Sequence, residues 1–205
     1  MRLEHVRTAV AFGAHPDDVE VGAGGLVAKL AAGGVRTTIV VASIPNRFSV
    51  RKAEAQAGAR QLGADLVLPP AEAESRVEDL PMHQLVARFE AELTLRQPDL
   101  VILPGAHDLH WDHMLVHRAV LAALRRASCD VLAYATRLPA GAAPPAPTCV
   151  VDIASSIDRK VAAIAEHASQ MPPGFAESRR ELARNLGVTH GVAMAELFEV
   201  LRITL

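Results

Sequence analysis

The feature that most constrains this chain is an alternation. Short apolar runs rich in β-branched residues take turns with longer alanine-rich or amphipathic stretches, from residue 8 to residue 136. "TAVAFGA" (8–14) reads as a buried strand, and "VEVGAGGLVAKLAAGG" (19–34) as a helix stopped by Gly33 and Gly34. "VRTTIVVAS" (35–43) is a strand, and "SVRKAEAQAGARQLGA" (49–64) a helix ending at Gly63. The pattern continues with a strand (65–70), a helix (82–98), a strand (99–105), a helix (111–127) and a strand (129–136). Parallel strands need crossovers of this length, and those crossovers are right-handed. The expectation is therefore an α/β fold: a Rossmann-like three-layer sandwich around a mostly parallel sheet.

The 205 residues suit one domain spanning 1–205, large enough to bury a sizeable core. "LPAGAAPPAPT" (138–148) carries too much proline and glycine for regular structure and reads as a surface loop. Beyond it a helix (about 155–169), a Pro-Pro-Gly loop, a further helix and a terminal strand "FEVLRITL" are expected. A net charge of −2 and 3% aromatic residues argue against a nucleic-acid surface, which needs basic patches or stacking platforms. Cys129 and Cys149 form no C-x-x-C pair and read as reduced thiols. The N-terminus shows neither a long apolar core nor a small-residue cleavage site, and no run of apolar residues is long enough for a span. The expected setting is soluble, cytoplasmic and away from membranes.

In open parallel sheets ligands gather at the carboxyl ends of the strands. Two clusters fall there. "AHPDDVE" follows the first strand with His15, Asp17, Asp18 and Glu20, and "GAHDLHWDHMLVH" (105–117) follows the fourth. The second holds His107, His110, His113 and His117, four of the nine histidines in the chain, together with Asp108 and Asp112. A single loop histidine is ordinarily structural, but two such clusters at strand ends are not. Imidazole and carboxylate are the donor set of Zn²⁺ and similar divalent ions, and surplus members can move protons. Gly22, Gly24 and Gly25 do not follow the G-x-G-x-x-G spacing. They are better read as close helix–sheet packing, and Glu20 as a favourable charge near a helix start.

Taken together, the strand ending in "AHPDDVE", the R-x-x-E of Arg51 and Glu54, "QPDLVILPG" and "HWDH" at a helix entrance resemble the PIG-L/LmbE-like family of zinc-dependent deacetylases. Segments 150–170 and 194–202 extend the resemblance over nearly the whole chain. The resemblance implies removal of the N-acetyl group from an N-acetylglucosamine-type sugar or its conjugate, and a trimeric or hexameric homo-oligomer. It implies His15, Asp18 and His113 as metal ligands and Asp17 as general base. His110 would stabilise the oxyanion or protonate the leaving amine, Asp112 would hydrogen-bond His110, and Arg51 would reach the substrate. Trp111 stands where the family has proline. The metal would be Zn²⁺, although the same donors accept Fe²⁺, Co²⁺ or Mn²⁺. His107 and His117 read as satisfied or exposed residues, and His167 has no assigned role. The competing readings are a Rossmann-like nucleotide-binding protein, which lacks its glycine fingerprint here, and a catalytically silent family member.

Overall fold

The computed structural model of the protein describes residues 4–136 and 148–203. Its strands are β1 (Thr8–Gly13), β2 (Arg36–Val41), β3 (Asp65–Val67), β4 (Leu100–Pro104), β5 (Asp130–Tyr134), β6 (Cys149–Asp152) and β7 (Ala195–Arg202). Its helices are α1 (Asp18–Ala32), α2 (Phe48–Leu62), α3 (Met82–Arg96), α4 (Trp111–Ala123), α5 (Ile157–Ala165) and α6 (Phe175–His190). All seven strands form one sheet in the order β3-β2-β1-β4-β5-β7-β6. The first five strands run parallel to one another, and β7 runs antiparallel between β5 and β6.

β1 is buried at every position. Its side chains alternate between the two faces, so Ala9 and Ala11 join one apolar cluster while Val10 and Phe12 join the other. The first cluster includes Val19, Leu26 and Val27 of α1, and α1, α2 and α5 pack on one another. The second includes Phe89 of α3 and Val116 and Val120 of α4, which pack together. This is the expected three-layer arrangement.

Small residues on α1 bring it close to the sheet. A Cβ on Gly22 would lie 2.1 Å from Tyr134 Cδ2, and one on Gly25 would lie 2.7 Å from Ile153 Cδ1. Tyr134 cannot easily step aside, because its hydroxyl donates to the Phe12 carbonyl at 2.9 Å. Gly22→Ala should therefore lower stability by at least the about 1–3 kcal/mol typical of overpacking, read as a drop in the urea midpoint. The expected packing against the sheet is observed at Gly22, whereas Gly25 packs on Ile153 just past β6 and Gly24 faces Lys160 of α5 and Leu62 of α2.

The C-terminal third departs from the sequence reading in two places. The four-residue strand β6 was not expected, since "CVVD" is shorter than a legible run and occupies a sheet edge. β7 begins at Ala195 rather than Phe198. The charge of Glu196 hides that start, but Glu196 is buried, with its carboxylate 2.5 Å from Lys160 Nζ and accepting from the backbone N–H groups of Gly25 and Leu26. A paired carboxylate can sit in a core where an isolated one could not. Cys129 and Cys149 are free thiols. The loop expected at 138–148 lies, apart from Thr148, outside the described residues. No helix among the described residues is long and apolar enough to cross a membrane.

Candidate functional site

β1 and β4 are adjacent, and from them the chain order runs outward in opposite directions, to β2 and β3 on one side and to β5 on the other. Neighbouring crossovers therefore leave on opposite faces and open a crevice at the carboxyl ends of these two strands. The turn from β1 into α1 carries "HPDD", and the connection from β4 into the first turn of α4 carries "HDLHWDH". Residues almost a hundred positions apart meet there.

The first loop is a tight turn into α1. Asp18 Oδ2 accepts from the His15 backbone N–H at 2.8 Å, closing the turn. Asp17 occupies the helix N-cap with φ 101° and ψ −28°, a left-handed conformation rare outside glycine and costing about 1–3 kcal/mol. Its side chain makes no capping hydrogen bond. The carboxylate is thus left for another use, and strained residues of this kind concentrate at functional sites. On the second loop His110 is the N-cap of α4, and its Nδ1 accepts from the Asp112 backbone N–H at 3.2 Å.

His15, Asp18 and His113 each present one donor atom, all within 4.8 Å of one another, and all three residues are buried. Asp18 Oδ1 lies 3.1 Å from His113 Nε2, and Asp18 Oδ2 lies 3.7 Å from His15 Nδ1. A tetrahedral ion with bonds of about 2.1 Å separates its ligand atoms by about 3.4 Å, so these spacings fit a divalent metal. The far nitrogen of each imidazole meets a carboxylate. His15 Nε2 is 2.9 Å from Asp112 Oδ2, and His113 Nδ1 is 3.0 Å from Asp108 Oδ2. Such outer carboxylates orient metal-binding histidines and raise their basicity.

Asp108 is the residue that the sequence reading placed in the cluster without giving it a task. It accepts from the His110 backbone N–H at 3.0 Å and from the Thr136 hydroxyl at 2.8 Å, as well as meeting His113. Its burial behind the second cluster is not a pattern that spacing alone displays. Asp108→Asn keeps the shape but removes the charge on His113, and should weaken Zn²⁺ binding by about 10–100-fold in a competition titration against a chelator.

The electrostatics follow from this crowding. Burial raises the Asp17 carboxyl to about 7, helped by the charge of Asp18 and opposed by His167 and Arg51. A cation beside Asp18 would oppose that rise. Burial works against charge on Asp18 too, but His113 and His15 keep its carboxyl below the ordinary value. Burial disfavours protonated His113, yet Asp18 and Asp108 override it and push the imidazole to about 10. Burial and the neighbouring His15 and His113 lower His110.

Asp112 meets His110 through its backbone N–H, whereas its carboxylate faces His15; the first turn of a helix directs backbone N–H groups at the N-cap. Arg51 is buried, donates from Nη2 to the Pro16 carbonyl at 3.0 Å and lies 3.7 Å from Asp17 Oδ2. His117 is buried with Nδ1 donating to the Pro104 carbonyl at 2.8 Å, and His107 is exposed. Trp111 is 51% exposed. His167 is fully buried beside Glu20.

Comparison with known proteins agrees with this geometry. The sequence profile of the family "PIG-L: GlcNAc-PI de-N-acetylase" matches residues 10–124, more than half of the chain and including both loops. The protein named uncharacterized deacetylase YaiS of Escherichia coli (strain K12) is 28% identical over 136 residues, 62% of this chain and 72% of that protein. Among solved structures, 4-carboxy-2-hydroxymuconate hydratase GalB from Pseudomonas putida KT2440 superposes with a TM-score of 0.80 at 22% identity, covering 97% of this chain and 98% of that one. The N,N'-diacetylchitobiose deacetylase of Pyrococcus horikoshii superposes with a TM-score of 0.75 at 21% identity, covering 97% and 85%. These two likenesses carry the fold, and the profile match carries the family: this chain belongs to the PIG-L (GlcNAc-PI de-N-acetylase) family.

Proposed function

We propose that the protein is a metal-dependent hydrolase that removes the acetyl group from an N-acetylated amino sugar of the N-acetylglucosamine type, or from a conjugate of one. The observation that carries this reading is the buried His15–Asp18–His113 donor cluster with the uncapped carboxylate of Asp17 one residue from a ligand. Its family supports it, as do the deacetylase activities named for the E. coli relative and the P. horikoshii neighbour.

His15, Asp18 and His113 would hold the ion, with Zn²⁺ the first choice and Fe²⁺, Co²⁺ or Mn²⁺ alternatives for the same donors. The bound ion would polarise the amide carbonyl and acidify water. Asp17 would take the proton of the attacking water and return it to the departing nitrogen, so acetate and a free amine leave. His110 has one assignment that geometry favours. Because its Nδ1 accepts a backbone N–H, a neutral ring carries its proton on Nε2. That N–H can stabilise a developing oxyanion. Asp112 sets this tautomer through its backbone and aligns His15 through its carboxylate. Arg51 braces the turn by donating to the Pro16 carbonyl; its Nε is buried without a hydrogen-bond partner among the described residues, so a contact with substrate would require the side chain to shift.

The test is acetate release from a panel of N-acetylglucosamine, N,N'-diacetylchitobiose and N-acetylglucosaminyl conjugates, after stripping the protein and restoring one defined metal at a time. The expected result is metal-dependent acetate with an equal amount of amine. Stoichiometric metal binding with no acetate from any member would overturn the reading. Amine analysis also separates hydrolysis from hydration, the reaction named for the P. putida neighbour, which would release neither product.

A further inference from the structure

Three elements besides the metal donors converge on the Asp17 turn. α1 supplies Glu20, α2 supplies Arg51, Glu54 and Gly58, and the segment after α5 supplies His167 and Ser169. His167 is 0% exposed and Glu20 is 2% exposed. Their nearest atoms, His167 Nε2 and Glu20 Oε1, lie 3.3 Å apart. Gly58 makes room for the pair, since a Cβ there would lie 2.9 Å from each of those two atoms. Glu54 accepts from the Ser169 backbone N–H at 2.8 Å and from its hydroxyl at 2.7 Å, fixing this segment to α2. From the same helix Arg51 holds the Pro16 carbonyl.

A fully buried imidazole is costly to keep, and neither ring nitrogen of His167 makes a well-formed hydrogen bond among the described residues. Packing alone would be served better by an apolar side chain. What surrounds His167 is negative charge: Glu20 in contact, with Asp17 and Glu54 within electrostatic reach. Burial disfavours its protonated form, and these carboxylates outweigh burial and raise it. Asp17 in turn is held at φ 101°, and a strained conformation persists only where its surroundings over-determine it.

We propose that His167 is a positioning residue for Asp17. Acting through Glu20, and opposite Arg51, it braces the first turn of α1 and with it the "HPDD" turn, so that Asp17 keeps its strained conformation next to Asp18. The inference rests on the reading of Asp17 as base. It gives a task to the "HASQ" segment, which reaches the site from 150 positions away in the chain.

The experiment compares His167→Leu, His167→Gln and Asp17→Asn with the double variant Asp17→Asn/His167→Leu. It measures acetate release from N,N'-diacetylchitobiose or the best panel substrate, Zn²⁺ stoichiometry, and backbone amide resonances of the ¹⁵N-labelled protein. Loss of an outer partner typically costs about 10–100-fold, so His167→Leu should lower kcat by that factor with KM and Zn²⁺ stoichiometry unchanged. His167→Gln, whose amide can donate to Glu20, should recover part of the rate. In the Asp17→Asn background His167→Leu should cost nothing more, because residues acting as one unit are not additive. Independently of turnover, the Asp17 amide resonance should move in His167→Leu. A full additional loss in the double variant, Zn²⁺ lost in step with rate, or an unmoved Asp17 resonance would each overturn the inference. Retained activity in Asp17→Asn alone would instead overturn the base assignment, and the amide resonance would still decide whether His167 holds the turn.

Discussion

Asp17→Asn should leave the fold and metal content intact and reduce acetate release by about 10²–10⁴-fold, the usual worth of a positioned general base. The amide preserves the shape of the carboxylate, and no helix cap is lost, because the Asp17 side chain makes no capping hydrogen bond. The amide cannot take a proton from water. The measurement is metal content and acetate release on the same preparation. If the variant keeps most of its activity on a confirmed substrate, Asp17 is not the base.

His113→Ala should abolish both metal binding and activity. Its Nε2 points at Asp18 Oδ1, 3.1 Å away, within the three-donor cluster. Loss of a direct ligand should exceed the about 10–100-fold in affinity expected for an outer partner such as Asp108. It also removes the histidine that both Asp18 and Asp108 face. Circular dichroism must therefore accompany the metal measurement, since stranding buried carboxylates destabilises the fold. Asp18→Asn should follow His113→Ala in losing metal while Asp17→Asn does not. Equal metal loss in the two aspartate variants would contradict the division of labour between adjacent carboxylates, even with the family assignment intact.

The first 136 residues were legible because local signals agree with the global fold. β1 through β4 each combine β-branched or apolar runs with a following helix, β5 is itself a buried apolar run, and Gly63 caps α2 in the left-handed conformation that glycine favours. The C-terminal third was less legible. β7 carries Glu196 inward, where the partner that tolerates it, Lys160, lies 36 positions earlier on α5. No window along the chain contains both residues. The same limit applies at the site. Asp108 and Asp112 both stood in the histidine-rich segment, but which imidazole each carboxylate faces depends on how the two loops approach. Arg51 could be placed on a helix by periodicity, but its reach to the Pro16 carbonyl could not.

The sequence by itself determined the alternation of strand and helix, and the two histidine- and aspartate-rich segments at strand ends. It also determined, through H-x-x-D and H-x-D-H, the chemical identity of the donors. These are local properties, carried by side-chain periodicity and by residue types within a few positions. Only the tertiary structure decided that β4 lies beside β1, and with that neighbour relation that His113 meets His15 and Asp18. Strand order is the outcome of pairings and helix packing summed over the whole core. So is the conformation of Asp17, at φ 101° a strained choice that the residues of one turn would not adopt alone, held by contacts arriving from distant parts of the chain.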